Sequence, residues 1–369
     1  MHTNRFSFRS VLSFGAFISG LTLVTASSFA QTASKSPASA LRVSIMTFNA
    51  ENLFDTVHDA DRDDETNLPL AYKKSHPEVM AKCAAMTNDF YRTECETLDW
   101  SEPVFDTKIS RVASVIRSVN NGRGPDIQVL VEIENMNALR QLRDRKLSDL
   151  GYQTMELIEG PDTRGIDPAV LSRFPQWDKA QMHIIPYKDP QGKPDRVGAK
   201  SRGILEVRLL LPDGQKVAVF AAHFPSMSNP TYLRKQAVLE LNRLKAALPK
   251  GVLAIAAGDF NVSREEDQQQ GYISKILAGD WLVSHLVGCK TCKGTEVYKR
   301  EWSFLDNVSF SPEMADGGTA AWALDISSIQ VPHSVSEHVN KFGEPNRFEP
   351  PSTGISDHWP IYTEIYKRQ

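Results

Sequence analysis

The sequence predicts a mixed α/β or α+β layered domain, and three observations predict it. Short β-branched apolar runs recur along the chain, stretches with helical apolar spacing lie between them, and no Pro/Gly/Ser-rich linker or internal repeat divides them. At 369 residues, 41% hydrophobic and 24% charged, the chain is long and apolar enough to bury a substantial core. Its 42 Lys and Arg nearly balance 45 Asp and Glu, and the mean hydropathy is -0.33, which excludes a disordered chain and a polytopic membrane protein. A net charge of -3 argues against a strongly basic nucleic-acid coat. It leaves room for an enzyme that grips nucleic acid locally, because the field at the site matters there and not the sum over the chain.

Residues 1–30 read as an export signal. Arg5 and Arg9 give a basic start, residues 11–25 an apolar stretch diluted by Ser, Gly and Thr, and Ser28-Phe29-Ala30 a small-x-small cleavage site. The stretch is short for a bilayer span of roughly 20 apolar residues, so cleavage is expected rather than anchoring. Residues 31–40, rich in Ser, Ala and Thr, read as a flexible leader, and the folded domain is expected over 41–369.

Within that domain, strands are expected at 43–48, 127–131, 204–211, 217–222 and 252–257. One helix is expected from near Asp106, as N-cap, with Ile109, Val112, Ile116 and Val119 on one face until Asn120-Asn121-Gly122 stops it. A second comes after Asn229-Pro230 and aligns Leu233, Ala237, Leu241, Leu244 and Leu248. The polar stretch 55–103 reads as a long decorated insertion. Its Asp59, Asp61, Asp63, Asp64 and Glu65 lack the Gly and terminal Glu of an EF-hand, so they read as a solvated acidic loop, with Ca²⁺ admitted only as an auxiliary ion. Export favours disulfides, and the simplest pairing is Cys83 with Cys95 and Cys289 with Cys292. Half a zinc site or a redox centre at Cys289-x-x-Cys292 is disfavoured by the lack of further ligands and of a thioredoxin-like context.

The chemistry lies at the ends of the apolar runs. They end in Asn49-Ala50-Glu51, Glu132, His223, Gly258-Asp259-Phe260-Asn261 and, after 302–305, Asp306; Ser356-Asp357-His358 comes near the C-terminus. Ionisable groups that repeatedly cap buried strands converge on one rim of a sheet. Glu51, Glu132, Asp259, Asp306 and Asp357, with Asn49 and Asn261, offer hard oxygens suited to Mg²⁺ or Mn²⁺, and His223 and His358 offer imidazoles. Metal-assisted hydrolysis of a phosphate ester fits this inventory.

The ordered set resembles the endonuclease/exonuclease/phosphatase superfamily, the group with the pancreatic-type deoxyribonuclease fold, from about residue 41 to the C-terminus apart from 55–103. The resemblance implies a four-layer sandwich of two packed mixed β-sheets flanked by helices, hydrolysing phosphoesters with a divalent metal. Thr47-Phe48-Asn49-Ala50-Glu51-Asn52 is similar to the first motif, which puts Asn49 at the metal and phosphate site, with Glu51 a further candidate ligand. Glu132 resembles the principal metal ligand and Asp357 a carboxylate at the metal. His223 is similar to the imidazole of the deoxyribonuclease branch. Asp259 and Asn261 resemble the pair that orients or activates the attacking water, and Asp306 the acid that hydrogen-bonds the catalytic His358. Arg164 and Arg202 resemble segments that approach phosphate. The number of metal ions, and whether Asp259 or a His is the base, stay open.

The first motif lacks the Asn-Gly of abasic-site endonucleases, and the segment around Asp306 lacks the Trp-Cys-Asp-Arg of inositol polyphosphate phosphatases. An exported chain with His223 looks more like a secreted bacterial nuclease. The expectation is therefore a periplasmic or secreted phosphodiesterase, monomeric and free of the membrane after signal cleavage, with DNA or RNA as substrate. A phospholipid or small-phosphoester phosphodiesterase, and a non-catalytic binding protein that retains the fold, are the alternatives. Lys73, Lys74, Lys200, Lys290, Lys293, Lys299 and Arg300 are basic candidates for contact with a nucleic-acid backbone, and the tryptophans are expected to serve packing.

Overall fold

The computed structural model describes residues 41–369; the expected signal and leader lie outside the described residues. Among the described residues there are fourteen strands, in chain order β1 (Arg42–Leu53), β2 (Ile127–Ile133), β3 (Thr154–Leu157), β4 (Asp167–Ser172), β5 (Gln181–His183), β6 (Ile204–Leu210), β7 (Lys216–His223), β8 (Leu253–Asp259), β9 (Leu282–Val283), β10 (Glu296–Tyr298), β11 (Glu301–Ser303), β12 (Asp306–Phe310), β13 (Trp322–Gln330) and β14 (Ile361–Lys367). Twelve of them form two six-stranded mixed sheets, ordered β13-β14-β1-β2-β4-β3 and β5-β6-β7-β8-β12-β9; β10 and β11 make a separate hairpin. The two parallel pairs, β1 with β2 and β7 with β8, occupy the middle of their sheets.

Side-chain alternation explains the layering. Val43 and Ile45 of β1, Val217 and Val219 of β7 and Ile255 of β8 fill the space between the sheets, while Met46 and Phe48 face outward. The outer face of the first sheet is covered by the helix Glu102–Arg117, through Phe105, Ile109, Val112 and Ile116. The helix Thr231–Ala246 covers the second sheet through Leu233, Ala237 and Leu241, which pack on Phe220 and Ala256. The result is a helix–sheet–sheet–helix sandwich, the four-layer architecture the resemblance implies.

Several boundaries differ from expectation. β1, expected over 43–48, runs on to Leu53, with its register against β2 shifting between Asn49 and Leu53. The helix expected to start at Asp106 begins at Glu102, because Ser101 is the N-cap and Pro103 sits in the first turn, where its missing N–H costs nothing. Asp306 opens β12 instead of ending a strand: the apolar run 302–305 is split between β11 and a connector. Because β12 is antiparallel to β8, with Asp306 opposite Asp259, its start meets the same rim as the end of β8.

The 55–103 insertion carries three short helices, α1 (Leu70–Ser75), α2 (Pro77–Ala84) and α3 (Asp89–Thr97), with Cys83 bonded to Cys95 across α2 and α3. Cys289 is bonded to Cys292. The acidic loop is solvated only in part: Asp61 and Asp63 are exposed as expected, whereas Asp64 and Glu65, with Asp55 before them, are buried, because Glu65 pairs with Lys82, His58 with Asp64, and Asp55 accepts from Asn137. Lys73 is also buried, donating to the carbonyls of Thr66 and Cys95, so it is a structural lysine and not a phosphate contact. Trp100, Trp281 and Trp359 are buried, consistent with packing roles.

Candidate active site

The ends of β1, β2, β7 and β8, the start of β12 and the turn before β14 meet at one rim, above a cleft of about 880 Å³. Strained backbone turns the side chains into it. Glu51, Asn52, Glu132 and Asn261 all have positive φ, between 52° and 62°, a region non-glycine residues rarely occupy. Gly258 sits at φ 142°, and a Cβ there would lie 1.8 Å from the Ala222 carbonyl oxygen, so only glycine lets β8 press against β7 beside Asp259.

Asn49, buried in β1 where its register with β2 begins to shift, bridges two carboxylates: its Nδ2 donates to Glu132 Oε1 at 3.2 Å and to Asp259 Oδ2 at 3.1 Å. The other Glu132 oxygen accepts from the Asn52 N–H at 3.0 Å. Asp259 Oδ1 accepts from the Asn261 N–H at 2.8 Å, and the Asn261 side chain donates to the Phe224 carbonyl. Burial pushes the Asp259 carboxyl up to about 7, against the pull of His358, which places it near neutral pH for proton exchange.

The two imidazoles are held in opposite states. His358 Nδ1 lies 2.7 Å from Asp306 Oδ2, and its Nε2 faces Asp259 Oδ2 at 3.9 Å and Asp357 Oδ1 at 4.0 Å. Burial opposes its charge, but Asp306 and Asp259 outweigh burial and raise its pKa well above the ordinary value, so it stands as an imidazolium. His223 Nε2 lies 2.8 Å from an Arg202 guanidinium nitrogen. Arginine only donates, so Nε2 accepts and the proton resides on Nδ1. Burial and the Arg202 charge accordingly hold its pKa well below the usual range. Environments that push two titratable groups apart in this way separate a proton donor from a neutral partner.

Two expected roles change. Arg202, expected at the phosphate, is buried and committed to His223, to Asp162 Oδ2 at 3.1 Å and to the Phe224 carbonyl. Glu51, expected on the metal, has both oxygens engaged: Oε1 by Arg347 Nε at 2.7 Å, Oε2 by the N–H groups of Phe348 and Asp357. It ties down the segment that carries Asp357 and His358. Glu51 and Arg202 still line the cleft, together with the half-exposed Arg164 and with Arg196, Lys200 and Arg347. Lys290, Lys293, Lys299 and Arg300 are not among its lining residues. Arg347, Asp162 and Tyr91 at the cleft wall, and the buried Lys108 within the field of Glu51, Asp357 and Glu132, are neighbours outside the set expected from sequence. Lys108 is wholly buried and donates to the Ile355 carbonyl; burial lowers its pKa to about 8 although Glu51, Asp357 and Glu132 favour its charge.

The donor set fits a hard divalent cation. Asp259, Asp306 and Asp357 surround the His358 imidazolium and Glu132 adjoins Asp259 through Asn49, a concentration of carboxylates that a divalent ion would relieve, and Glu132, Asn49 and the half-exposed Asp357 would hold it. When bound, such an ion supplies neutralisation of phosphate charge and polarisation of its ester bond. Asp259 is placed to take a proton from water, and the His358 imidazolium to stabilise charge developing on a phosphate oxygen. Outside the cleft, His58, Asp64 and Glu65 form a group whose ligand atoms lie within 4.8 Å of one another, but the pairs with His58 and Lys82 already occupy these carboxylates.

Arg202→Ala is expected to release His223, so that its ring proton titrates closer to the ordinary histidine range and turnover falls about 10- to 100-fold, as when an orienting partner of an active-site group is lost. Histidine NMR titration beside kcat measurement checks both; an unchanged His223 titration contradicts the assignment.

A four-layer sandwich that gathers an acid–imidazolium pair, a buried carboxylate near its neutral point and hard oxygen donors at one rim defines a phosphoester-cleaving class of site. The chain belongs to the endonuclease/exonuclease/phosphatase family, whose model matches residues 83–367, and members of that family are generally hydrolases of phosphoester bonds that typically use divalent metals. No curated protein matches the sequence. Among solved structures, an endonuclease/exonuclease/phosphatase from Beutenbergia cavernae is 16% identical with TM-score 0.51, covering 88% of this chain and 72% of that one. D. rerio TDP2 complexed with single strand DNA product is 15% identical with TM-score 0.50, covering 88% and 98%. A mannosyl-6-phosphatase from Bacteroides thetaiotaomicron is 14% identical with TM-score 0.50, covering 88% and 99%. At these identities the likeness is one of fold. No helix among the described residues is long and apolar enough to cross a membrane.

Proposed function

We propose that the protein is an exported, metal-dependent phosphodiesterase that hydrolyses nucleic acid, DNA and/or RNA, by in-line attack of an activated water. The observation that carries this reading is the Asp306–His358 pair facing Asp259, with Glu132 and Asn49 beside it, in a cleft that Arg164, Arg196, Lys200 and Arg347 also line. Four cationic side chains lining the cleft suit a polyanionic substrate. Mg²⁺ or Mn²⁺ is the proposed cofactor, on Glu132 and Asp357, and Ca²⁺ enters only as an auxiliary ion. The two disulfides support export to the periplasm or medium, and the protein is proposed to act as a monomer.

The test is a substrate panel of linear and plasmid DNA, RNA, bis(p-nitrophenyl) phosphate and sphingomyelin, each with Mg²⁺ or Mn²⁺ and with EDTA. Nucleic-acid cleavage that EDTA stops is the expected result. Full activity in EDTA contradicts the metal assignment, lipid hydrolysis exceeding nucleic-acid cleavage reassigns the substrate, and inertness on every phosphoester points to a binding protein.

A further inference from the structure

A second cavity, of about 530 Å³, adjoins the catalytic cleft, and the two share Asn52, Tyr91 and Arg164 as walls. These three residues form a neck between the reacting groups and the space beyond. The far space is built by the disulfide-stapled insertion. Its α3 carries Tyr91, which is 58% exposed, and the Asn88 side chain caps that helix by accepting from the N–H groups of Phe90 and Tyr91. Cys83–Cys95 locks α2 to α3. The insertion is in turn fixed to the cleft wall, since Arg62 donates to the carbonyls of Gly160 and Asp162, and the Asp63 N–H donates to the Thr163 carbonyl. Tyr91 therefore stands on a braced platform at the edge of the active site.

The lining defines what fits. Past the neck the wall is Phe54 and Met86 with the amides of Asn67 and Asn88, and its charged side chains there are Asp63 and Glu94, both acidic. Arg164 at the neck is the one cation among the described lining residues. A further phosphate would meet two carboxylates and no counter-charge, so a strand does not continue through this space. A ring-bearing, uncharged polar group meets an aromatic face and hydrogen-bonding amides instead.

We propose that this compartment is a subsite for one neutral ester arm of the substrate, a nucleoside, with Tyr91 stacking on its base and Arg164 at the neck beside the phosphate. The inference rests on the phosphodiesterase reading and narrows it to a diester one arm of which ends in a nucleoside. Tyr91 is then a specificity-determining residue.

Thymidine 5′-(p-nitrophenyl phosphate) and methyl p-nitrophenyl phosphate have the same leaving group and differ in the retained arm. The wild type is expected to favour the nucleoside ester by about 10-fold or more in kcat/KM, the size of a base–aromatic stack. Tyr91→Ala should remove that preference, chiefly through KM, and Tyr91→Phe should retain it. Absence of the preference in the wild type, or its survival in Tyr91→Ala, overturns the subsite. Should neither ester be turned over, the phosphodiesterase reading fails, and equilibrium titration with thymidine still decides the subsite: binding lost in Tyr91→Ala supports it, and no binding or equal binding in both overturns it.

Discussion

Replacing His358 by Ala is expected to lower phosphodiester turnover by about 10³- to 10⁴-fold with little change in KM, the upper range for loss of a positioned acid–base group. His358 is the one group at the rim whose surroundings force it to carry positive charge, through Asp306 at 2.7 Å and Asp259 at 3.9 Å. Asp306 is wholly buried and its carboxylate hydrogen-bonds that imidazole, so Asp306→Asn should cost about 10²-fold by leaving the ring without its orienting charge. The double variant Asp306→Asn/His358→Ala should then be no worse than His358→Ala alone, since two groups acting as a unit are not additive. Steady-state kinetics on bis(p-nitrophenyl) phosphate, with circular dichroism to establish folding, checks all three. Additive losses would mean that Asp306 acts independently of His358.

How much of this is legible in the sequence depends on the range of the interaction that fixes each residue. Asn49, Glu132, His223 and Asp259 end apolar runs and are placed by that pattern; His223 and Asp259 are the last residues of β7 and β8, while β1 and β2 continue past Asn49 and Glu132 with a shifted register. Asp306 adjoins an apolar run that proves not to be one strand; it reaches the rim because β12 is antiparallel to β8. Glu51 reads like its neighbours in the motif, and what removes it from the ligand set is Arg347, 296 residues away, which no local pattern announces. Arg202 reads as a residue that approaches phosphate until the fold sets it against His223, 21 residues on at the end of β7. Lys108 does leave a signal: it shares the i, i+4 stripe of Val104 and Val112, an apolar line on which a lysine has to be explained. The insertion is the least readable part, because its helices bury Lys73, Asp64 and Glu65 through ion pairs and carbonyl contacts and have little apolar periodicity.

Glu132→Gln separates metal binding from the rest of the machinery. The substitution keeps the shape and leaves an oxygen to accept from Asn49 or Asn52, so the fold should survive with Tm close to wild type. What it removes is a full negative charge, held at φ 62° by backbone that is strained where Glu132 faces the cleft. If that carboxylate is the principal anchor of the cation, Mn²⁺ affinity should fall by about 100-fold or more and turnover at ordinary Mg²⁺ by about 10³-fold, with part of the loss recovered at high metal. Asp357→Asn should weaken Mn²⁺ less, because Asp357 is half-exposed and water screens its charge. Electron paramagnetic resonance titration of Mn²⁺, run beside kcat as a function of metal concentration, measures both quantities on the same protein. Unchanged Mn²⁺ affinity in Glu132→Gln together with a collapsed kcat would move Glu132 from the metal to the water or the phosphate. A larger loss of affinity in Asp357→Asn would shift the anchor to the turn before β14, with Glu51 and Arg347 as its supports.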